Sequence, residues 1–133
     1  MLLEIDNSLV EILRHDGPDY KPLVDFESWR VAILNDHEKF RRETTTYLER
    51  HNQTDEVFVL LEGDSYLYIG DGDDSPGEIR LLHMEKCKLY NVKKGVWHNV
   101  LASPGTSLLI VENANTSRDN SNRFAVTADM LPE

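Results

Sequence analysis

Residues 50–63 read RHNQTDEVFVLLEG, and the fold follows from how this stretch is divided. Glu56 to Leu61 (EVFVLL) is β-branched and apolar, and it runs into Glu62-Gly63-Asp64, a hairpin signal. Upstream, Thr44 to His51 (TTTYLERH) alternates in the manner of a strand. Asn52 to Asp55 between them is turn-like. Side chains alternate along a strand, so His51 and Gln53 share a face. If the chain reverses at Thr54-Asp55, Glu56 opens an antiparallel strand and faces the same interior. An imidazole, an amide oxygen and a carboxylate then converge. By the same parity Thr45, Tyr47 and Glu49 join the His51 face, and Phe58 and Leu60 join the Glu56 face.

Working outward, the text stays short and punctuated. Strands are expected at 29–34, 65–69, 78–83, 88–92, 98–102 and 106–111, each bounded by Gly, Pro, Lys or Asn. Gly70 to Gly77 (GDGDDSPG) is the strongest turn signal; its spacing does not suit a calcium loop, and a plain hairpin connection is expected. Gly63 and Gly95 are expected at turns that need positive φ. So many short strands must hide their edges, which a jelly-roll or double-stranded β-helix does in about this length. Before residue 24, Leu9, Ile12 and Leu13 suggest a short helix that Asp16-Gly17-Pro18-Asp19 breaks. Residues 115–122 (NTSRDNSN) read as an exposed loop, and the tail after Phe124 as a last short strand or an irregular end. The expectation is one all-β domain over 1–133, with its barrel core at about 29–113.

The chain has 133 residues and a net charge of −10. That charge argues against a nucleic-acid or anionic-membrane partner, because phosphates are repelled unless one face is strongly basic. No apolar run approaches a membrane span. The acidic N-terminus does not resemble a secretory signal, so a cytoplasmic location is expected. Cys87 is the lone cysteine, which excludes an internal disulfide and a thiolate zinc cluster; it is expected to be a small buried hydrophobe.

His98 follows Gly95-Val96-Trp97, where a turn feeds a new strand, and supplies a second imidazole. Trp97, by alternation, points away from it. These segments resemble the two motifs of the cupin superfamily. The first reads His-x-His, three or four residues, Glu, six residues, Gly, and is read here onto His51, Gln53, Glu56 and Gly63. The second reads Gly, five residues, Pro-x-Gly, two residues, His, three residues, Asn; Gly95 and His98 match it. Cys87, Lys93 and Ala102 replace its first glycine, its proline and its asparagine.

The resemblance implies a cupin-type double-stranded β-helix with a short N-terminal helical or irregular segment. It also implies a divalent transition metal (Mn, Fe, Co, Ni or Zn) held by His51, Gln53, Glu56 and His98, with Glu56 as ligand or proton shuttle. Tyr47, Glu49 and Phe58 would line the substrate pocket. The implied activity is isomerase, lyase or dioxygenase chemistry on a small polar metabolite such as a sugar acid or hydroxy acid. The alternative is a non-catalytic binding or sensor barrel. A homodimer is the implied assembly.

Overall fold

A computed structural model describes residues 3–133, and ten strands account for nearly all of its regular structure. In chain order they are β1 (Asp19–Phe26), β2 (Trp29–Asn35), β3 (Tyr47–His51), β4 (Glu56–Glu62), β5 (Ser65–Gly70), β6 (Ile79–His83), β7 (Leu89–Val92), β8 (Trp97–Ala102), β9 (Ser107–Asn113) and β10 (Ser121–Ala125). They form two five-stranded antiparallel sheets, ordered β1-β2-β9-β4-β7 and β10-β3-β8-β5-β6. This is the jelly-roll barrel expected from the turn-bounded runs.

Period-two alternation places the core between the sheets. On β4, Phe58 and Leu60 are buried; on β9, Leu108 and Ile110 are; on β8, Val100 and Ala102 are. The opposite faces of β3, β5 and β8 carry Leu48, Tyr68 and Trp97. These pack with Val126 and Leu131 of the C-terminal segment into a second apolar cluster. Trp97 is 2% exposed, and its indole N–H donates to the Asp73 carbonyl at 3.0 Å, so it faces away from His98 as alternation requires. Gly63 sits at φ +84°, and a Cβ there would lie 2.6 Å from Thr106 Cα, so both conformation and space demand glycine.

Four details differ from the sequence reading. There is no helix at Leu9–Leu13: these side chains are exposed, and the segment has only a turn in which Leu9 N–H bonds the Asp6 carbonyl. An amphipathic stripe without a face to bury against gains too little to hold a helix. Two strands lie outside the expected core. β1 contains Pro22, tolerated because β1 is an edge strand with a register shift there, and β10 is too polar to read as a strand. β3 begins only at Tyr47, because Thr44 and Thr45 donate their hydroxyls to the Glu38 and Arg41 carbonyls in a preceding turn. Cys87 is exposed, and holds φ +67° at the position where the second motif has glycine. Among the described residues, no helix is long and apolar enough to cross a membrane.

Candidate metal centre

His51 ends β3, Glu56 begins β4, His98 is the second residue of β8, and Glu112 is the last inward-facing residue of β9. All four side chains are buried in one mouth of the barrel, with residue exposures between 2% and 8%. The turns that bring them together are tied to one another. Gly95, at φ +83°, donates its N–H to the His51 carbonyl at 2.8 Å, so the end of β3 anchors the turn that delivers His98. Asp55 accepts from Lys94 N–H at 2.8 Å and from the Asn91 amide at 3.1 Å, fixing the start of β4 to the same turn.

Both imidazoles are oriented through Nδ1. His98 Nδ1 donates to the Val96 carbonyl at 2.9 Å, and His51 Nδ1 pairs with Ser121 Oγ at 2.7 Å. Their Nε2 atoms therefore point inward and converge on Glu56 Oε1, at 2.8 Å from His98 and 3.3 Å from His51. Holding one ring nitrogen so that the other faces the centre is how metal-binding histidines are oriented. Phe58 stacks edge-on against His98, with ring centroids 5.8 Å apart.

Gln53 does not join them, which corrects the fourth position expected from sequence. β3 stops at His51, the chain turns through 52–55, and Gln53 leaves on the outside. Its side-chain oxygen accepts from Asn120 Nδ2 at 3.4 Å, and its carbonyl from the Asn113 amide at 3.2 Å. Alternation fails because the strand ends two residues too early. The motif count agrees: four residues separate His51 from Glu56 and only two separate Gln53 from it, so His51 matches the motif's second histidine and Glu49 its first. Glu49 does face the site, with Oε1 3.9 Å from His51 Nε2.

Glu112 is the residue that the sequence reading missed. Its Oε1 accepts from the Tyr20 hydroxyl at 2.8 Å and lies 4.0 Å from Arg30 Nη1. Its Oε2 lies 4.0 Å from His51 Nε2, is buried, and has no hydrogen-bond partner. Parity along TSLLIVEN from buried Leu108 and Ile110 was the available signal.

The charges are strongly coupled. Burial opposes ionisation of Glu56, but hydrogen bonds from His51 and His98 outweigh it and hold the carboxyl below its ordinary range. Burial alone would depress His98; its bond to Glu56 and that residue's charge instead raise it to about 9. Burial, then the neighbouring Glu56 charge, push Glu112 up to about 8, only partly opposed by Tyr20 and Arg30.

Two triads can each offer donor atoms within 4.8 Å of one another: Glu49, His51 and His98, and His51, Glu56 and Glu112. Imidazole nitrogen with carboxylate oxygen is a donor mixture suited to first-row divalent ions. Together with the partnerless oxygen of Glu112, it fits such an ion. The cluster opens into a cavity of about 300 Å³, whose walls include Tyr47, Glu49, Phe58, Asn99 and Tyr20.

No protein-family model matches the sequence, and no characterised relative is found by sequence. Similarity to solved structures is extensive. CapF with the inhibitor 3-isopropenyl-tropolone aligns at a TM-score of 0.58 and 14% identity, over 83% of this chain and 33% of that one. HppE, with Fe(II) and an alternative substrate, aligns at 0.50 and 18% identity, over 78% and 54%. A cupin-2 domain protein from Shewanella frigidimarina aligns at 0.49 and 17% identity, over 84% and 94%. With the two facing sheets and their strand order, the fold is that of a small cupin.

Proposed function

We propose that this barrel binds a divalent first-row transition metal through His51, Glu56 and His98, and acts on a small polar metabolite in the cavity beside it. The observation that carries the reading is the convergence of two inward-facing Nε2 atoms and a carboxylate in a buried mouth, each imidazole oriented from behind. Cupin-fold neighbours that include a protein described with Fe(II) support it.

Bound there, the metal would supply Lewis acidity to a substrate carbonyl or carboxylate. The chain's own residues would do the rest. The Ser121 and Val96 contacts keep the two imidazoles facing inward. Tyr47 and Glu49 offer polar contacts at the wall, and Phe58 keeps water from the inner side of His98. Glu56 sits where a proton can pass between a bound molecule and either imidazole. A cavity of about 300 Å³ suits a ligand of sugar-acid or hydroxy-acid size.

The test is metal analysis of protein purified without added metal, followed by calorimetric titration with Co²⁺. Stoichiometric binding that is lost in His98→Ala supports the reading. Failure to bind Co²⁺, Mn²⁺, Fe²⁺, Ni²⁺ or Zn²⁺ sinks it. One observation favours a second reading, a metal-free binding barrel: Glu56 already bonds both imidazoles, so the trio is satisfied by protons alone. Ligand binding that persists unchanged in chelator would favour that alternative.

A further inference from the structure

Glu112 presents a physical problem that the three ligands proposed above do not resolve. Its side chain is 6% exposed, and it stands beside Glu56, a second buried carboxylate. One oxygen is well served, since Tyr20 donates to Oε1 at 2.8 Å. The other, Oε2, is sealed from solvent and has no donor within reach. A buried carboxylate oxygen without a partner is costly, and a second carboxylate beside it adds to the cost. The nearest cation, Arg30, is engaged elsewhere: its guanidinium donates to Asp25 Oδ1 and to the carbonyls of Ala114 and Thr116, and it approaches only Oε1. Oε2 instead faces the His51 Nε2 edge of the site, at 4.0 Å.

We propose that Glu112 is the fourth protein ligand of the metal, supplying Oε2 to complete a set with His51, Glu56 and His98, and that Tyr20 is its positioning residue. This rests on the metal-binding reading above. Glu49 is the rival, because it holds the position of the motif's first histidine and also faces His51. Two observations favour Glu112. The Glu49 side chain is 28% exposed, and its Oε2 is drawn toward Arg123 Nε, 4.0 Å away at the rim. Water and an arginine can serve Glu49, whereas only a cation or a proton can serve Glu112 Oε2. The Tyr20 hydroxyl, by occupying Oε1, fixes the carboxylate plane and leaves Oε2 for the ion. The resulting centre has two nitrogens and two carboxylate oxygens, with Glu49 left at the cavity wall for substrate.

The experiment is calorimetric titration of chelator-stripped protein with Co²⁺, together with the visible absorption of the Co²⁺ form. It compares wild type with Glu112→Gln, Tyr20→Phe, Glu49→Gln and Gln53→Ala. Expected are a loss of about a hundredfold in affinity for Glu112→Gln, about tenfold for Tyr20→Phe, and less than about threefold for the other two, with an altered Co²⁺ spectrum only in Glu112→Gln. Circular dichroism in chelator checks the fold. Should Glu112→Gln not fold, Glu112→Asp keeps the charge and withdraws the oxygen by one methylene, and the same loss is expected. A folded Glu112→Gln with wild-type affinity and spectrum overturns the proposal, as does a larger loss in Glu49→Gln. Absence of Co²⁺ binding in wild type would instead remove the metal reading on which it rests.

Discussion

Raising the pH of the metal-free protein from 6 to 9 should destabilise it, and the site supplies the sign and the size. His98 is fully buried against Glu56 Oε1 at 2.8 Å and is lifted from an ordinary 6.5 to about 9. A group whose folded value lies above its unfolded one stabilises the fold fully below the unfolded value, and loses that contribution as pH rises through the folded one. For His98 the window is therefore about 6.5 to 9. A gap of roughly two and a half units, at about 1.4 kcal/mol each, gives a loss on the order of 3 kcal/mol. Glu112, lifted from 4.5 to about 8 by burial and by Glu56, acts with the same sign: its protonated form is the one the fold prefers, and the preference is lost by pH 8. Glu56 acts oppositely, since its lowered value costs stability only in acid, below the ordinary carboxylate range. Urea denaturation in chelator should thus show stability falling from about pH 4.5 as the Glu112 preference is lost, and more steeply above about pH 6.5 where His98 adds to it, with a loss of several kcal/mol by pH 9. Glu56→Gln should flatten the alkaline decline, because His98 then has no anion to hold its proton. A stability that is flat or rising from pH 6.5 to 9 would refute the assigned charge states.

The same protons oppose metal. Titration with Co²⁺ at pH 7 in buffers of different ionisation enthalpy should show proton release on binding, and affinity should climb as pH rises from 6 to 9. Saturating metal at about a hundred times its dissociation constant should add about 2.7 kcal/mol of stability, read as a higher urea midpoint that chelator reverses. Trp97→Ala should cost about 3–5 kcal/mol, because it empties the centre of the second apolar cluster around Leu48 and Tyr68; thermal melts of the apo protein check it. Gly63→Ala should also lower the melting temperature, since the added methyl would meet Thr106 Cα at 2.6 Å in a backbone that already has φ +84°.

What could be read from sequence was what local periodicity encodes. β4 and β9 alternate cleanly, so the inward positions of Glu56, Phe58 and Leu60 followed from parity, and the strong turn residues at 70–77 and at Gly63 marked hairpins. Strands whose stability comes from the partner rather than from their own side chains were not legible. β10, SNRFA, is held by pairing with β3, and its serine orients His51; nothing in its five residues announces either role. β1 was hidden by its proline and acids, yet it brings Tyr20 onto Glu112. The N-terminal periodicity misled in the opposite direction, because a stripe of apolar residues carries no information about whether a surface exists to receive it.

The misplacement of Gln53 shows where parity arguments break. Counting by twos is valid only inside a strand, and the count from His51 to Gln53 crossed the end of β3. A turn resets the face, so a residue two beyond His51 can point outward while Glu112, far along the chain, points in. Glu112 illustrates the converse. It follows Leu108 and Ile110 at spacing two within an unbroken strand, which makes its inward direction as secure as theirs. A charged residue that continues a buried apolar series at a strand end contradicts its surroundings energetically. In a barrel whose core is otherwise apolar, such a contradiction persists only where something in the mouth answers the charge. Here the Tyr20 hydroxyl answers one oxygen, while the other, 4.0 Å from His51 Nε2, is still unanswered. That residual mismatch, rather than the motif positions alone, is what the proposed cation would resolve at this end of the barrel.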